Sequence, residues 1–290
     1  MSDPAWGRWT TAFREELAQL GWIERKNLKI EFRYVAGSFE NSLKSAAEVV
    51  AFAPDVIFTS SGVATRAAQQ QTNTVPIVFT GPSPVIEGEN RPTGNLTGFP
   101  ILYPSIAGKW VELLREVDLR VTRVGYVVDN PALTGTGSRA YVLPIEETAR
   151  VIGVELTAID DRNEVGFERQ IAAFAAKPNG ALIVLPSAFT ARGENRQQIR
   201  RLAERYRLPT IHWDNLYPAE GGLMSYGSDF EYLHRRAAMY VDRILRGAKI
   251  SDLPIERPSR FDLAINLGAA KVIGLSIPES FLVRADKVVE

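Results

Sequence analysis

The side chains best suited to bind a small ligand are hydroxyl residues that follow an apolar run in the first quarter of the chain. The apolar residues 56–58 lead through a threonine into Ser60, Ser61 and Gly62, and a helical pattern then begins. A strand that turns into a helix here leaves several backbone N–H groups without an intrahelical partner. Those groups, the helix dipole and the hydroxyls suit a carboxylate or another anion. The competing interpretation is that one serine only caps the helix.

Further candidates follow other predicted strands. In parallel α/β sheets, ligands bind beyond the carboxyl ends of the strands. This rule selects small, polar and aromatic residues at several strand ends, which are Ala64, Thr65, Thr80, Gly81, Asn130, Ser187, Phe189, Trp213, Asp214, Tyr226 and Asp229.

The chemistry of these side chains predicts three kinds of ligand contact. Hydroxyl and backbone N–H groups would hold a carboxylate, with the hydroxyls supplied by Ser60, Ser61 and Thr65. A carboxylate would hold an ammonium group through a charge-assisted hydrogen bond, from Asp214 or Asp229. An aromatic ring would stack on an apolar or aromatic ligand, from Trp213, Tyr226 or Phe189.

Several of these residues also have a purely structural interpretation. Asp229 is placed to cap the helix that follows it, and Trp213 can belong to the core. Asn130 and Pro131 form a turn signal whether or not a ligand touches them. His212 can be a satisfied structural histidine.

An alternation of strands and helices must position these residues. The predicted strands are 28–34, 55–59, 76–80, 96–99, 123–128, 154–159, 181–185, 209–213, 222–226 and 261–265. Helical patterns separate most of them, beginning with Trp9, Phe13, Leu17 and Leu20. This alternation predicts parallel sheets with helices on both faces. The series occurs twice around a Pro/Gly-rich region, so the predicted fold class is α/β, with two doubly wound parallel-sheet lobes.

Composition narrows the function classes. The 290 residues are 45% hydrophobic and 23% charged, as in a soluble globular protein, and no apolar run approaches the ~18 residues of a membrane span. Lys plus Arg (34) balances Asp plus Glu (34), which gives nucleic-acid binding little electrostatic support. Zero cysteines and two histidines speak against a metal centre, a disulfide framework and a cysteine nucleophile. We expect no cofactor.

One motif argues for nucleotide binding. Gly135, Gly137 and Ala140 fit G-x-G-x-x-A after a strand, and Asp160 follows about 20 residues later. The first glycine should lie in the turn directly after the strand, but residues 129–134 intervene. We therefore interpret the glycines as part of a flexible loop. Neither a Walker-type G-x4-G-K-[ST] nor a G-x-S-x-G motif occurs in the sequence.

A series of segments carries a family resemblance over nearly the whole chain. They include SSGVATRAAQQ, GNLTGF, GGLMSYGSDF, RGAK-x3-LPIE and FDLAINLGAAKVIGL, in this order. Together they resemble the substrate-binding components of bacterial ABC uptake systems, in the group that includes a tryptophan-binding member.

The resemblance implies a type I periplasmic-binding-protein fold, in which two lobes close on a ligand about a three-segment hinge. The three crossings would be 95–101, 222–227 and 253–261. Lobe 1 would hold residues 1–100 and 225–252, and lobe 2 would hold residues 101–224 and 253–290.

The resemblance also implies the function, in which a small ligand would be trapped without being converted. The hydroxyl and N–H groups of lobe 1 suit an anion and the other candidates include aromatic rings, so we expect a small carboxylate-bearing ligand, amino-acid-like or aromatic. The partners would be an ABC permease and ATPase, with no nucleic acid, and the protein would be a monomer. Its location would be periplasmic or membrane-anchored and extracytoplasmic. A leader and an apolar first strand are therefore expected upstream of the printed sequence, through truncation or a misassigned start codon.

Two other classes remain as alternatives. A ligand-sensing effector module would share the two-lobed fold, and needs a DNA-binding segment before the first lobe. A two-lobed enzyme would use His212 and Asp214 as acid and base, and would release a product. Fold alone does not separate these classes.

Overall fold

The structure is a computed structural model that describes residues 4–34, 39–81, 94–101, 104–128, 140–160, 164–187, 189–258 and 261–290. The chain is an α/β protein that divides into two compact units. Unit 1 comprises Met1–Leu102 and Asp229–Ser259, and unit 2 comprises Tyr103–Ser228 and Arg260–Glu290.

The described helices and strands alternate along most of the chain. The helices are α1 (Pro4–Gln19), α2 (Phe39–Ala51), α3 (Gly62–Gln71), α4 (Ala107–Val117), α5 (Val142–Ile152), α6 (Glu164–Ala175), α7 (Gly193–Tyr206), α8 (Phe230–Leu245), α9 (Leu267–Ile273) and α10 (Glu279–Leu282). The strands are β1 (Ile57–Thr59), β2 (Ile77–Gly81), β3 (Leu96–Pro100), β4 (Arg123–Val128), β5 (Glu155–Asp160), β6 (Gly180–Val184), β7 (Thr210–His212), β8 (Met224–Gly227), β9 (Asp262–Asn266) and β10 (Lys287–Val289). None of these described helices has the length and apolar character needed to cross a membrane.

Unit 1 is built on a parallel sheet in the order β1-β2-β3. Its core combines strand residues such as Phe79 with Ala68 of α3 and Ile255 from the last segment of the unit. Helix α1 packs against α8, where Trp9 stacks on Phe230 with ring centroids 4.7 Å apart. Helix α8 also packs on β2 and β3, so the apolar face of this amphipathic helix lies against the sheet.

The predicted strand at residues 28–34 is wrong. Within the described part of this segment, the only ladder contact is a single bridge between Glu24 and Leu28. An alternating segment needs a neighbouring strand to satisfy its backbone groups. Among the described residues β1 pairs with β2 alone, so segment 28–34 has no ladder to join, and Tyr34 is left 63% exposed.

Unit 2 is built on a seven-stranded sheet in the order β10-β9-β8-β7-β6-β4-β5. All neighbouring pairs are parallel except β8 and β9, which are antiparallel. Strand β6 is buried along its whole length, as expected of a parallel strand covered on both faces. The predicted α/β fold with parallel-dominated sheets is confirmed.

The last division between the units lies inside the predicted crossing 253–261, seven residues beyond the predicted end of lobe 1. The units divide after Ser259 rather than after residue 252. Leu253 and Ile255 are buried, and the Thr97 hydroxyl donates to the carbonyl of Leu253 at 2.6 Å. Arg236 of α8 also forms an ion pair with Glu256. These contacts hold residues 253–256 in unit 1.

Candidate ligand-binding site

In unit 1, the loops after two parallel strands lie against each other. Ser60 and Ser61 follow β1, and Thr80 and Gly81 end β2. Gly81 has φ of 134°, and a Cβ on it would lie 3.1 Å from the Cα of Ser61. Only glycine combines this backbone conformation with so close an approach. The structure thus brings together four of the predicted residues.

Helix α3 begins directly at this point. Ser61 is extended, with φ −161° and ψ 151°, and its Oγ accepts a hydrogen bond from the N–H of Ala64 at 3.2 Å. Ser61 therefore caps α3, as the competing interpretation of this junction requires. The cap satisfies one N–H of the first turn. The N–H groups of Gly62 and Val63 lie in that same turn, where a helix has no carbonyl to offer them.

Thr65 stabilises the connection between β1 and α3 from a buried position. Its side chain is fully buried, and its hydroxyl donates to the carbonyl of Ser61 at 2.8 Å. Its oxygen lies 2.9 Å from the hydroxyl of Thr59 and accepts that bond, since its own proton is already used. Thr65 thereby fixes the start of α3 to the end of β1. Its contact with a carboxylate stays a prediction, and the side chain has no exposed surface with which to make one.

His234 of α8 belongs to this cluster, and the sequence reasoning missed it. Its Nε2 lies 2.9 Å from Ser60 Oγ and 3.5 Å from Thr80 Oγ1. Its Nδ1 lies 2.8 Å from the carbonyl oxygen of Phe230, one turn earlier in the helix. One signal could have found it, because His234 lies at helical spacing among residues of the apolar face such as Leu233 and Ala237.

Aromatic rings surround His234. The ring of Trp9 stacks on it at 5.8 Å, and Phe58 meets it edge-on at 5.5 Å. The residue is only 2% exposed. Burial lowers the pKa of His234 to about 4, although the bond to the Phe230 carbonyl acts in the opposite direction. The imidazole is therefore neutral at pH 7.

Asp229 caps the helix that carries His234. Its Oδ1 accepts a hydrogen bond from the N–H of Tyr232 at 3.0 Å. The capping interpretation is confirmed, and a contact between Asp229 and an ammonium group stays a prediction.

In unit 2, a buried threonine organises the ends of β6 and β7. The hydroxyl of Thr190 donates to the carbonyl of Leu185 at 2.7 Å and accepts from the N–H of Ser187 at 2.9 Å. The indole N–H of Trp213 also lies 3.3 Å from it. Two predicted residues, Ser187 and Trp213, thus contact the same hydroxyl group. Phe189 meets Phe167 edge-on at 5.3 Å.

His212 and Asp214 do not form the acid–base pair that an enzyme would need. The backbone N–H of Asp214, not its carboxylate, donates to His212 Nδ1 at 2.9 Å. The carboxylate accepts from the N–H of Leu216 at 3.0 Å, and both side chains are fully buried. Burial, and then the charge of Arg196, hold the pKa of His212 well below its ordinary value. These contacts are those of a structural histidine.

The remaining predicted residues lie apart from these clusters or outside the described chain. Tyr226 is half-buried beside Phe261, with ring centroids 5.9 Å apart, and burial raises the pKa of its phenol. Its carbonyl accepts from the indole N–H of Trp110 at 2.8 Å. Asn130 and the glycines at 135 and 137 lie outside the described residues.

Comparison with known proteins gives consistent matches over the full chain. The tyrosine-binding protein of Clostridioides difficile (strain R20291) is 21% identical over 288 residues, which are 95% of this chain and 79% of that protein. A conserved domain protein from Vibrio cholerae is 25% identical with a TM-score of 0.85, covering 99% of this chain and 96% of that one. An ABC domain from Streptococcus pneumonia, solved in complex with L-Trp, is 21% identical with a TM-score of 0.83. That alignment covers 100% of this chain and 98% of the other.

The family assignment rests on the sequence profile. The profile described as ABC transporter substrate binding protein matches residues 1–289, so the resemblance seen in the sequence motifs is confirmed. The chain belongs to the ABC transporter substrate-binding protein family.

Proposed function

We propose that this chain is the substrate-binding component of a bacterial ABC uptake transporter whose ligand is a free aromatic amino acid. The observation that carries the proposal is the match to a tyrosine-binding protein and to a domain solved with L-Trp, each over at least 95% of this chain. Those two ligands share an α-carboxylate, an α-ammonium group and an aromatic side chain.

Unit 1 offers groups for the backbone of such a ligand. Ser60 and Ser61 are both half-buried and lie beside the first turn of α3. The N–H groups of Gly62 and Val63 supply donors, and the helix dipole adds partial positive charge. These groups would hold the α-carboxylate.

Unit 2 offers groups for the side chain of the ligand. Phe189 and Tyr226 are half-buried, whereas Trp213 is only 5% exposed. We therefore assign stacking to Phe189 or Tyr226 and a supporting role to Trp213. The candidate contacts of Asn130, Ser187, Asp214 and Asp229 belong to the same proposal.

The partners follow from the family. The protein would deliver its ligand to an ABC permease and ATPase, and would do so outside the cytoplasm, either free in the periplasm or anchored to a membrane. It would be a monomer, would bind no nucleic acid and would return its ligand unchanged.

A thermal-shift screen followed by calorimetry tests the proposal. L-Tyrosine, L-tryptophan and L-phenylalanine are compared with aliphatic amino acids, aromatic acids and small sugars. A specific ligand at 100 times its Kd stabilises the folded state by about 2.7 kcal/mol. Mass spectrometry after prolonged incubation should recover the ligand intact. Stabilisation by sugars alone, or a converted product, would contradict the proposal.

A paired substitution tests the carboxylate assignment. Replacing Ser60 and Ser61 together by Ala should weaken binding of the amino acid while the protein remains folded. Unchanged affinity in calorimetry would remove both hydroxyls from the site.

A further inference from the structure

Ser60, Thr80 and His234 form a hydrogen-bonded cluster in which the position of each proton can be worked out. A carbonyl oxygen can only accept, so the 2.8 Å contact between the Phe230 carbonyl and His234 Nδ1 requires a proton on Nδ1. A neutral imidazole carries one proton, and its other nitrogen is then an acceptor. His234 Nε2 must therefore accept a hydrogen bond.

Ser60 is the donor to that nitrogen. Its Oγ lies 2.9 Å from Nε2, whereas Thr80 Oγ1 lies at 3.5 Å. The hydroxyl proton of Ser60 is thus directed at the imidazole. Thr80 can donate to Ser60 Oγ, from 3.4 Å. A hydroxyl oxygen has two acceptor positions, so one lone pair of the half-buried Ser60 remains for a ligand.

We propose that Ser60 presents a hydrogen-bond acceptor to the ligand, that it binds the α-ammonium group, and that His234 is the positioning residue which fixes this role. A carboxylate at Ser60 would bring two acceptors together. The ammonium group carries three donors and suits the free lone pair. This inference rests on the proposed function, because it assumes an amino-acid ligand. It revises the assignment of Ser60 to the carboxylate, which is left to Ser61 and the first turn of α3.

Aromatic packing keeps the imidazole in this state. Trp9 covers one face of the ring and Phe58 meets it edge-on. Burying a charged ring in this apolar surrounding would be costly. The neutral tautomer with its proton on Nδ1 satisfies both ring nitrogens with the partners present.

The tautomer can be measured without a ligand. The chain has two histidines, and the structure gives them opposite tautomers, because Nδ1 of His212 accepts from the backbone N–H of Asp214. Nitrogen-15 NMR of the histidine rings at pH 7 should show one ring protonated on Nδ1 and one on Nε2. Loss of the Nδ1-protonated signal in His234→Phe would assign it. A proton on Nε2 of His234 would overturn the inference, whatever the protein binds.

Binding measurements test the role of the cluster. Calorimetry compares an aromatic amino acid with its deamino acid, which keeps the carboxylate and the ring but lacks the ammonium group. His234→Phe retains a ring beside Trp9 and frees the Ser60 hydroxyl. The variant should lose roughly tenfold or more in affinity for the amino acid, with no matching loss for the deamino acid.

A control separates positioning from general damage. Tyr240→Phe removes the hydroxyl that donates to the carbonyl of Pro254 at 2.8 Å from the same helix, and should leave the preference between the two ligands unchanged. Equal weakening of both ligands by His234→Phe would overturn the inference and leave the proposed function standing. If the wild-type protein binds neither ligand, both the proposed function and the role of Ser60 fail, even where the tautomer is as expected.

Discussion

Replacing Gly62 by proline would remove one backbone donor from the candidate site while preserving the helix. Gly62 is the first residue of α3, where proline is favoured because that N–H has no intrahelical partner. The preceding Ser61 has φ −161° and ψ 151°, which is the extended conformation that a residue before proline prefers. The substitution therefore acts on a single hydrogen-bond donor.

The expected loss follows from the number of donors in the first turn. Ser61 Oγ already takes the N–H of Ala64, which leaves the N–H groups of Gly62 and Val63 for a carboxylate. A hydrogen bond to a charged group contributes about 1.5–3 kcal/mol. Gly62→Pro should therefore weaken binding of an aromatic amino acid by roughly 10- to 150-fold.

Gly62→Ala is the matched control, because it adds a Cβ and keeps the N–H. Calorimetry with L-tryptophan and L-tyrosine gives the affinities, and urea unfolding without ligand shows that each variant is folded. If the proline variant binds as tightly as the alanine variant, the start of α3 does not hold the carboxylate.

Three further predictions concern stability. Burial lowers the pKa of His234 to about 4, whereas the histidine pKa in the unfolded chain is about 6.5. Between these pH values the unfolded chain binds a proton that the folded chain does not. The free energy of unfolding is therefore unaffected by this residue above about pH 6.5 and decreases as the pH falls. In urea unfolding, His234 should lower the free energy of unfolding by about 2 kcal/mol at pH 5 relative to pH 7.5. The His234→Phe variant should lack this contribution to the pH dependence. Arg196 is 1% exposed and forms two hydrogen bonds with Glu220 at 2.8 and 2.9 Å. Glu220→Leu should cost about 3 kcal/mol, because it removes the carboxylate that balances the charge of this buried arginine, and adding Arg196→Met should restore much of that loss. A Cβ on Gly227 would lie 2.0 Å from the carbonyl oxygen of Trp213, so Gly227→Ala should cost about 1–3 kcal/mol, whereas Gly7→Ala, with open space around it, should be neutral or stabilising.

The fold was predictable where the sequence pattern is local. Strand β6 reads as a short apolar run, and α8 reads as an amphipathic helix behind an aspartate cap. These signals depend on neighbouring residues alone. Segment 28–34 has an equally clear alternation, but a strand exists only beside a partner, and its own sequence does not specify one.

The candidate site was predictable as a location but not in its chemistry. The strand-end rule selected Ser60, Ser61, Thr80 and Gly81, which the structure brings together. It could not select His234, which is 174 positions from Ser60 in the chain and reaches it only through the packing of α8. It also did not separate the buried Thr65 from its half-buried neighbours, because burial depends on how α3 packs on the sheet.

The two histidines show why residue type alone does not define a binding group. Both are buried and neutral, yet a carbonyl oxygen faces Nδ1 of His234 and a backbone N–H faces Nδ1 of His212. The first ring must therefore accept through Nε2, and the second must carry its proton there. A serine beside the first ring becomes an acceptor toward a ligand, whereas one beside the second would become a donor. If Ser60 contacts the ligand as proposed, the backbone partner on the far side of His234 determines whether it meets an ammonium or a carboxylate group.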